Sequence, residues 1–507
     1  MKKLYTLVFL FCCLFGFAQF PTLSFTKTIG GSFDDYLYDF APVADGYICF
    51  GSSVSSISGL KTENSRGGED YWVIKIDFSG NIIWQRTLGG SGLDWPSKIR
   101  VAPDGSIYCS GSSNSGISGE KTQANRGGYD YWIVKLSSSG ALLWEKTFGG
   151  DMHDFLQDVR IRPDGKLLLL GASDSGISGD KTVANNGTSG LGDFWLLRLS
   201  PDGILEWQDT FGGFGQESQP FFCESADGGW IMAGPSRSGL SGDRTVPTLS
   251  AASGDTWIIK FDAFDNIVWQ HSVALNNIMS LAELQNGDIV VAGRQFSGIF
   301  YQQQKIFRIS SSAVNIWQLE GALLTEGAPM DSDVVGLPDG GFIHCSYNHI
   351  QGFRYIRRDS QNQIVWERPM TITANTNSGS RMGGLKIDAN GSLVCASAAF
   401  EGISADKSEF GYGQFDYWIA RFEPEALDTK NVETKKIVVS PIPAKETLNI
   451  SNANGKAEIF NALGQKLSEH QVSETQNSVA FPFVSGHYIL KFTDAISGAT
   501  QSVKIIK

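Results

Sequence analysis

The sequence predicts an all-β chain, a seven-bladed β-propeller followed by a small C-terminal β-sandwich. Three observations carry that prediction. Tryptophans at 84, 144, 207, 269, 317 and 366 recur 60, 63, 62, 48 and 49 residues apart, each inside a similar phrase, and self-similarity at such a period marks a repeat architecture. Each repeat reads as four short strands bounded by Gly, Asn, Asp or Ser turns, with no helical periodicity between them. The last segment of the chain departs from the repeat and changes its charge.

Composition excludes the competing classes. The 507 residues include 58 Gly, 13 Trp, 14 Tyr and 32 Phe, with only 19% charged and a net charge of −12. A chain this aromatic buries enough apolar surface to offset its ordering entropy, so it is not disordered. Its glycine content rules out a coiled coil or helical array. The acidic balance argues against a nucleic-acid partner, which calls for a basic patch.

In chain order, residues 1–18 read as a signal peptide. Lys2 and Lys3 precede an apolar run from Leu4 to Phe17, and Gly16 and Ala18 form a small-residue cleavage site before Gln19. The run is too short for a membrane anchor, and no small residue precedes Cys12 or Cys13 as a lipoprotein requires. No later stretch approaches a transmembrane span, so the mature chain is expected to be exported and soluble.

Residues 19–425 are the propeller. In each repeat, strand A leads into an Asp-Gly or Asn-Gly turn, at 45–46, 104–105, 164–165, 227–228, 286–287, 339–340 and 390–391. Strand B follows, as in Ile107-Tyr108-Cys109. Strand C carries the Asp-Tyr-Trp phrase of Asp70-Tyr71-Trp72, Asp130-Tyr131-Trp132 and Asp416-Tyr417-Trp418, and strand D the second tryptophan. The last repeat lacks a strand D. The mature N-terminus supplies one, because Phe25-Thr26-Lys27-Thr28-Ile29-Gly30-Gly31 matches Trp84-Gln85-Arg86-Thr87-Leu88-Gly89-Gly90. Residues 24–29 are therefore expected to pair with 417–422 and close the ring, which removes two open sheet edges.

Much of the repeated chemistry reads as scaffold. The tryptophans are expected to pack between blades. The five mature cysteines, Cys49, Cys109, Cys223, Cys345 and Cys395, fall at positions too far apart to bridge and read as buried apolar residues. No paired Cys-x-x-Cys or His pair marks a metal site, the six histidines form no triad pattern, and no cofactor is implied.

The functional candidates lie on loops. Five B–C connections carry a recurring phrase, exemplified by Gly116-Ile117-Ser118-Gly119-Glu120-Lys121-Thr122, which the fifth and sixth blades lack. The D–A connections carry Gly-Gly followed four residues later by an acid, namely Asp35, Asp94, Asp154 and Glu217. Both connections emerge on one face, so long loops should build that face up unevenly. Two readings of the acids stand side by side. They satisfy backbone groups where strands begin, or they form a polar rim round the pore that holds Ca2+ or sugar hydroxyls, with Trp95 stacking on a sugar ring.

The Asp-Tyr-Trp, Ser-Gly-Asn and Trp-x-x-Thr-x-Gly-Gly phrases resemble the Gly-rich propeller repeats of large exported proteins of Bacteroidetes-type bacteria. The repeats are also faintly similar to quinoprotein propeller repeats in the Gly80 to Trp84 spacing, and to sialidase Asp-boxes at Ser200-Pro201-Asp202-Gly203 ahead of Trp207.

Residues 426–436 read as a polar linker, and 437–507 as a separate module. From 432 onward the chain holds eight Lys against five Glu and one Asp, so the acidity belongs to the repeats. Val439-Ser440-Pro441-Ile442-Pro443-Ala444, the Leu463-Gly464-Gln465 turn, Ser485-Gly486-His487-Tyr488 and the terminal Lys504-Ile505-Ile506-Lys507 resemble the type A C-terminal sorting domain of the type IX secretion system. The matching positions are Pro441, Pro443, Gly464, Gly486, Tyr488 and Lys504; Ile442 departs from the Asn usual between the prolines. The resemblance implies a small β-sandwich that directs outer-membrane export through that machinery and is often removed afterwards. The functional expectation is a secreted or cell-surface, non-catalytic binding or adhesion propeller that recognises an extracellular glycan or protein. The alternative is a carbohydrate-active hydrolase or lyase using rim carboxylates such as Asp94 and Asp154.

Overall fold

The computed structural model describes residues 20–507 except 188–189, 251–252, 297–300, 326–331, 349–351, 372–380, 401, 425–436, 452–453, 462–464, 474–476 and 495–499. The expected signal peptide, linker and Gly464 lie outside the described residues. The chain divides into two compact units, Met1–Glu425 and Ala426–Lys507. Among the described residues the assigned elements are all strands, and no helix is long and apolar enough to cross a membrane.

In the first unit the described residues form seven four-stranded antiparallel sheets in succession. Sheet I comprises Asp35–Val43, Gly46–Ser53, Asp70–Asp77 and Ile82–Leu88. Sheet II comprises Asp94–Val101, Ile107–Ser113, Asp130–Leu136 and Leu142–Phe148, and sheet III Asp154–Ile161, Leu167–Ser173, Asp193–Leu199 and Leu205–Phe211. Sheets IV, V and VI begin at Phe221, Asn277 and Ser332. Sheet VII joins Arg381–Ile387, Leu393–Phe400 and Phe415–Phe422 to the N-terminal strand Leu23–Ile29. There Thr26 stands opposite Ala420 and Ile29 opposite Tyr417. We letter the strands A to D outward. Strand A of each sheet packs beside strand A of the next, and that of sheet VII beside that of sheet I. The ring is a β-propeller, an architecture that leaves few exposed sheet edges.

The core sits between sheets. Trp72, Trp132, Trp195, Trp257 and Trp418 on strand C are fully buried. Phe50 and Tyr71 of sheet I share one cluster with Ile99, Cys109 and Trp132 of sheet II. A tyrosine hydroxyl stitches three of these interfaces. Tyr71, Tyr131 and Tyr417 donate to the backbone carbonyls of Trp132, Trp195 and Trp72 of the following sheet at 3.2, 3.0 and 3.1 Å. Each tyrosine reaches its acceptor by crossing a glycine of strand B. A Cβ at Gly111 would lie 2.4 Å from the Tyr71 hydroxyl and 2.0 Å from the Trp95 carbonyl. The outer tryptophans cover the next sheet's C–D turn, where Trp84 donates to the Ser138 carbonyl at 3.3 Å above Gly140. Among the described residues the five cysteines are buried and form no disulfide.

The second unit holds a three-stranded sheet (Val438–Ser440, Thr447–Ser451, Ser478–Ala480) and a four-stranded sheet (Lys466–Val472, Gly455–Asn461, His487–Asp494, Thr500–Ile506). Leu448 and Ile450 of the first share a core with Ala457, Ile459, Leu490 and Phe492 of the second. Pro441 and Pro443 lie in the connection between the first two strands of the small sheet. Gly486 exchanges two backbone hydrogen bonds with Lys507, and buried Tyr488 donates to the Val484 carbonyl at 2.6 Å. Lys504 is exposed, opposite Ile489 in the ladder.

Candidate functional site

The structure turns the four Gly-Gly acids inward. Asp35, Asp94, Asp154 and Glu217 each have 0% exposure. Each sits at, or just before, the start of a strand A and closes the tight turn before it by accepting an N–H from its own glycine pair. Gly31, Gly90, Gly150 and Gly213 donate at 2.6, 2.7, 2.7 and 3.2 Å. Serines at the end of strand B and just beyond it complete the knot: Ser113 and Ser115 both donate to Asp94, and Ser236 donates to Glu217 at 2.5 Å. Burial pushes Asp35 up to about 6, against the lowering pull of the Gly31 N–H, Ser53 and Lys61. Burial likewise raises Asp94 and Asp154. Each knot also faces the first aspartate of strand C in the preceding sheet. Burial raises Asp130 and Asp416 to about 6, and burial with the neighbouring Glu217 carboxyl raises Asp193 to about 7.

The loop phrase supplies the counter-charge. Its basic residue turns inward in every copy: Lys61, Lys121, Lys181, Arg244 and Lys407 are all buried. Lys61, Lys121, Lys181 and Arg244 lie 5.3, 5.9, 5.7 and 5.9 Å from the strand C tryptophan rings of their own sheets, a cation–π distance. Burial lowers Lys61, Lys121 and Lys181 to about 8. The loops also link to one another, through Arg66 to Glu120 at 2.9 Å and Arg126 to Asp180 at 2.8 Å. These carboxylates are therefore held by backbone and serine donors, with the lysines acting on them only as nearby charge. They do not assemble the six to eight oxygens that Ca2+ takes, and among the described residues no group of three or more His, Cys, Asp or Glu is placed to hold a metal ion.

Trp95 has a different setting. It follows Asp94 at the channel mouth, is 37% exposed, and stacks on Tyr129 with ring centroids 4.3 Å apart and 18° between planes. Phe155, the matching residue of sheet III, lies 6.3 Å from it. Trp95 and Phe155 open into a central cavity of about 770 Å³ lined by strand A of the successive sheets, within the range of ligand pockets. The sequence pointed to Trp95 but not to the rest of this lining.

The lining is set by an irregularity shared between sheets. Strand A carries a register shift at the same place in sheets I, II, III, V and VII. Such bulges re-aim side chains and collect near functional sites. The bulges place Tyr38, Ser97, Lys98, Gln157 and Met279 at the cavity wall. These residues differ from sheet to sheet although the sheets around them repeat. That lack of repetition was the available sequence signal, and it was missed.

Charge is layered beneath the aromatic mouth. Asp39 accepts from Ile99 N, Arg100 and Lys386 at 3.0, 2.9 and 2.7 Å. Burial works against its charge, but Lys386, Lys98 and Arg100 outweigh that and hold its pKa below the ordinary carboxylate value. Asp158 accepts from Arg100 at 2.6 Å. Asp333 accepts from Ser280 at 2.5 Å and Leu385 N at 2.7 Å.

These features define a propeller whose ligand-sized cavity lies on the ring axis, with a separate small β unit. No family model matches the chain. Regulatory protein FlaEY of Caulobacter vibrioides is 24% identical over 223 residues, which span 43% of this chain and 23% of that relative. The chain thus covers less than a quarter of that relative's length. Among solved structures, PorZ, described as an essential bacterial surface component of the type-IX secretion system of Porphyromonas gingivalis, is similar over 96% of this chain and 61% of its own, at 12% identity and a TM-score of 0.40. The Dos1 propeller is similar over 80% of this chain and 95% of its own, at 10% identity and a TM-score of 0.45.

Proposed function

We propose that this chain is an exported, seven-bladed, non-catalytic binding propeller that recognises an extracellular glycan at the channel mouth on its loop-rich face. The single observation that carries the reading is the aromatic shelf of Trp95 on Tyr129, opening into a 770 Å³ cavity whose wall varies between otherwise repeated sheets. Aromatic faces with nearby polar groups suit sugar rings, whose C–H faces are apolar and whose hydroxyls need partners. The sorting-domain phrases of the C-terminal unit support delivery by the type IX secretion machinery to the medium or the outer-membrane surface. A glycosidase needs two carboxyls about 5–9.5 Å apart across a pocket. Asp94 and Asp154 are buried within separate turn knots, so no observation favours the hydrolase reading.

A glycan array probed with the wild-type chain and with Trp95→Ala tests the reading. The expected result is binding to a defined set of glycans that Trp95→Ala loses while its melting temperature holds. Equal binding by both proteins, or a protein partner recovered with no glycan bound, overturns it.

A further inference from the structure

The channel wall repeats its scaffold but not its charge. Asp39 of sheet I and Asp158 of sheet III occupy matching places just past the strand A bulge, where each resumes the ladder directly ahead of Phe40 or Val159. Between them, in sheet II, the matching place before Ile99 is held by Lys98. Lys98 is half-buried, and its ammonium has no hydrogen-bond or ion-pair partner among the described residues. Its neighbours are engaged: Arg100 bridges Asp39 and Asp158 at 2.9 and 2.6 Å through its terminal nitrogens, and Lys386 holds Asp39 at 2.7 Å.

Two further donors at the cavity are unused. The Nε atoms of Arg100 and Arg160 are buried without a partner, and buried donors in native proteins are ordinarily satisfied. The cavity lining carries four cationic side chains, Lys98, Arg100, Arg160 and Lys386, against the three carboxylates Asp39, Asp158 and Asp333. The excess of one positive charge lies inside a chain whose net charge is −12. A cleft with low-dielectric walls focuses such a local charge on whatever enters it.

Lys98 stands three residues along the same strand from Trp95, a separation of about 10 Å at strand geometry. From these placements, and resting on the reading of the channel mouth as a glycan site, we infer that the ligand is an acidic sugar. Its ring stacks on Trp95, and its single anionic group, a carboxylate or a sulfate ester, takes the free ammonium of Lys98. Gln157 and Gln219, both on the cavity wall, are amide partners for ring hydroxyls.

The test is calorimetric titration of the full chain with three probes: a trigalacturonate, its fully methyl-esterified form, and a sulfated galactose trisaccharide. The ester keeps the sugar and removes the charge. An anionic probe is expected to bind at least tenfold more tightly than the ester, with the advantage shrinking as salt rises from 50 to 500 mM, because screening shortens the reach of the charge. Comparing the two anionic probes distinguishes carboxylate from sulfate ester. Lys98→Met should erase the acid-over-ester ratio, and Trp95→Ala should weaken every probe that binds. Should Lys98→Met melt early, the wild-type acid-to-ester ratio and its salt dependence decide alone. Equal affinity for acid and ester, both lost in Trp95→Ala, overturns the acidic-sugar inference and leaves the glycan reading standing. No affinity for any probe, with no neutral glycan bound on the array, overturns both.

Discussion

Replacing Gly111 by Ala tests whether the inter-sheet stitch sets both stability and the geometry of the channel mouth. The added Cβ would fall 2.0 Å from the Trp95 carbonyl, 2.4 Å from the Tyr71 hydroxyl and 2.9 Å from Pro96 Cα. Two of those three atoms are backbone of strand A, which is held to strand B by the Trp95–Ser112 and Pro96–Gly111 pairs. Relief therefore requires strand A to shift and the Tyr71 hydroxyl to leave the Trp132 carbonyl. Overpacking costs about 1–3 kcal/mol and the lost buried hydrogen bond about 1 kcal/mol, so the variant should lose about 3 kcal/mol. Unfolding entropy of about 2.1 cal/mol/K per residue, applied to the ring from Leu23 to Phe422, converts this to a fall of about 4 °C. Gly116 is the control. It lies five residues further on, with no heavy atom within 4 Å of its would-be Cβ and no positive φ. Gly116→Ala should hold or slightly raise the melting temperature, since Ala narrows the unfolded ensemble. Scanning calorimetry reads both variants, and glycan binding reads the displaced Trp95, which should weaken only in Gly111→Ala. Indistinguishable melting of the two variants would refute the packing argument. A lower melting temperature with unchanged binding would refute the link from the stitch to the mouth.

Two further predictions concern charge and export. Asp35, Asp130 and Asp416 titrate near 6 and Asp193 near 7 in the folded chain, above the unfolded value of about 3.9. Raised carboxyl pKa values contribute stability that is fully present below the unfolded value and lost as pH rises through the folded one. Lys61, Lys121 and Lys181, lowered to about 8, stay mostly charged up to pH 7.5, and buried His344, lowered to about 3, opposes the trend as a single group, so the four carboxyls set the sign there. The melting temperature should be higher at pH 5 than at pH 7.5, with a smaller difference in Asp193→Asn; a rise in stability with pH across that window would contradict the assignment. Deleting residues 437–507 should leave a folded propeller that is no longer delivered across the outer membrane, followed by fractionation of the producing cells. Normal delivery of the truncated chain would rule out the sorting role proposed for the tail.

The sequence was most legible where physics repeats. Trp72, Trp132 and Trp195 recur because every sheet must fill the same gap to its neighbour, and the match of Phe25–Gly31 to Trp84–Gly90 disclosed which strand completes sheet VII. The acids were ambiguous for a definite reason. A strand-start Asp after Gly-Gly looks alike whether it faces solvent or a turn, and its partners Ser113 and Ser115 lie about twenty residues away, on strand B and just beyond it. Only the fold brings them together. Lys121 was hidden in the same way, since its loop phrase reads as exposed while the side chain turns under Trp132.

Repetition itself separates scaffold from site. A residue that recurs at matching positions, as Asp35, Asp94 and Asp154 do, serves what all sheets share, which is turn closure and packing. A residue that breaks the pattern at a position the scaffold holds constant serves something only one sheet meets. Lys98 is such a break, because the strand A bulge that carries Asp39 in sheet I and Asp158 in sheet III carries a cation in sheet II. Aspartate there would be held by Arg100 and Lys386, which already bind Asp39 and Asp158 within hydrogen-bonding distance. Lysine there attracts Asp39 and Asp333 at a distance, repels Lys386 and closes no ion pair of its own. Its position beside the cavity, three residues from the exposed Trp95, leaves that ammonium where an anionic ligand can take it.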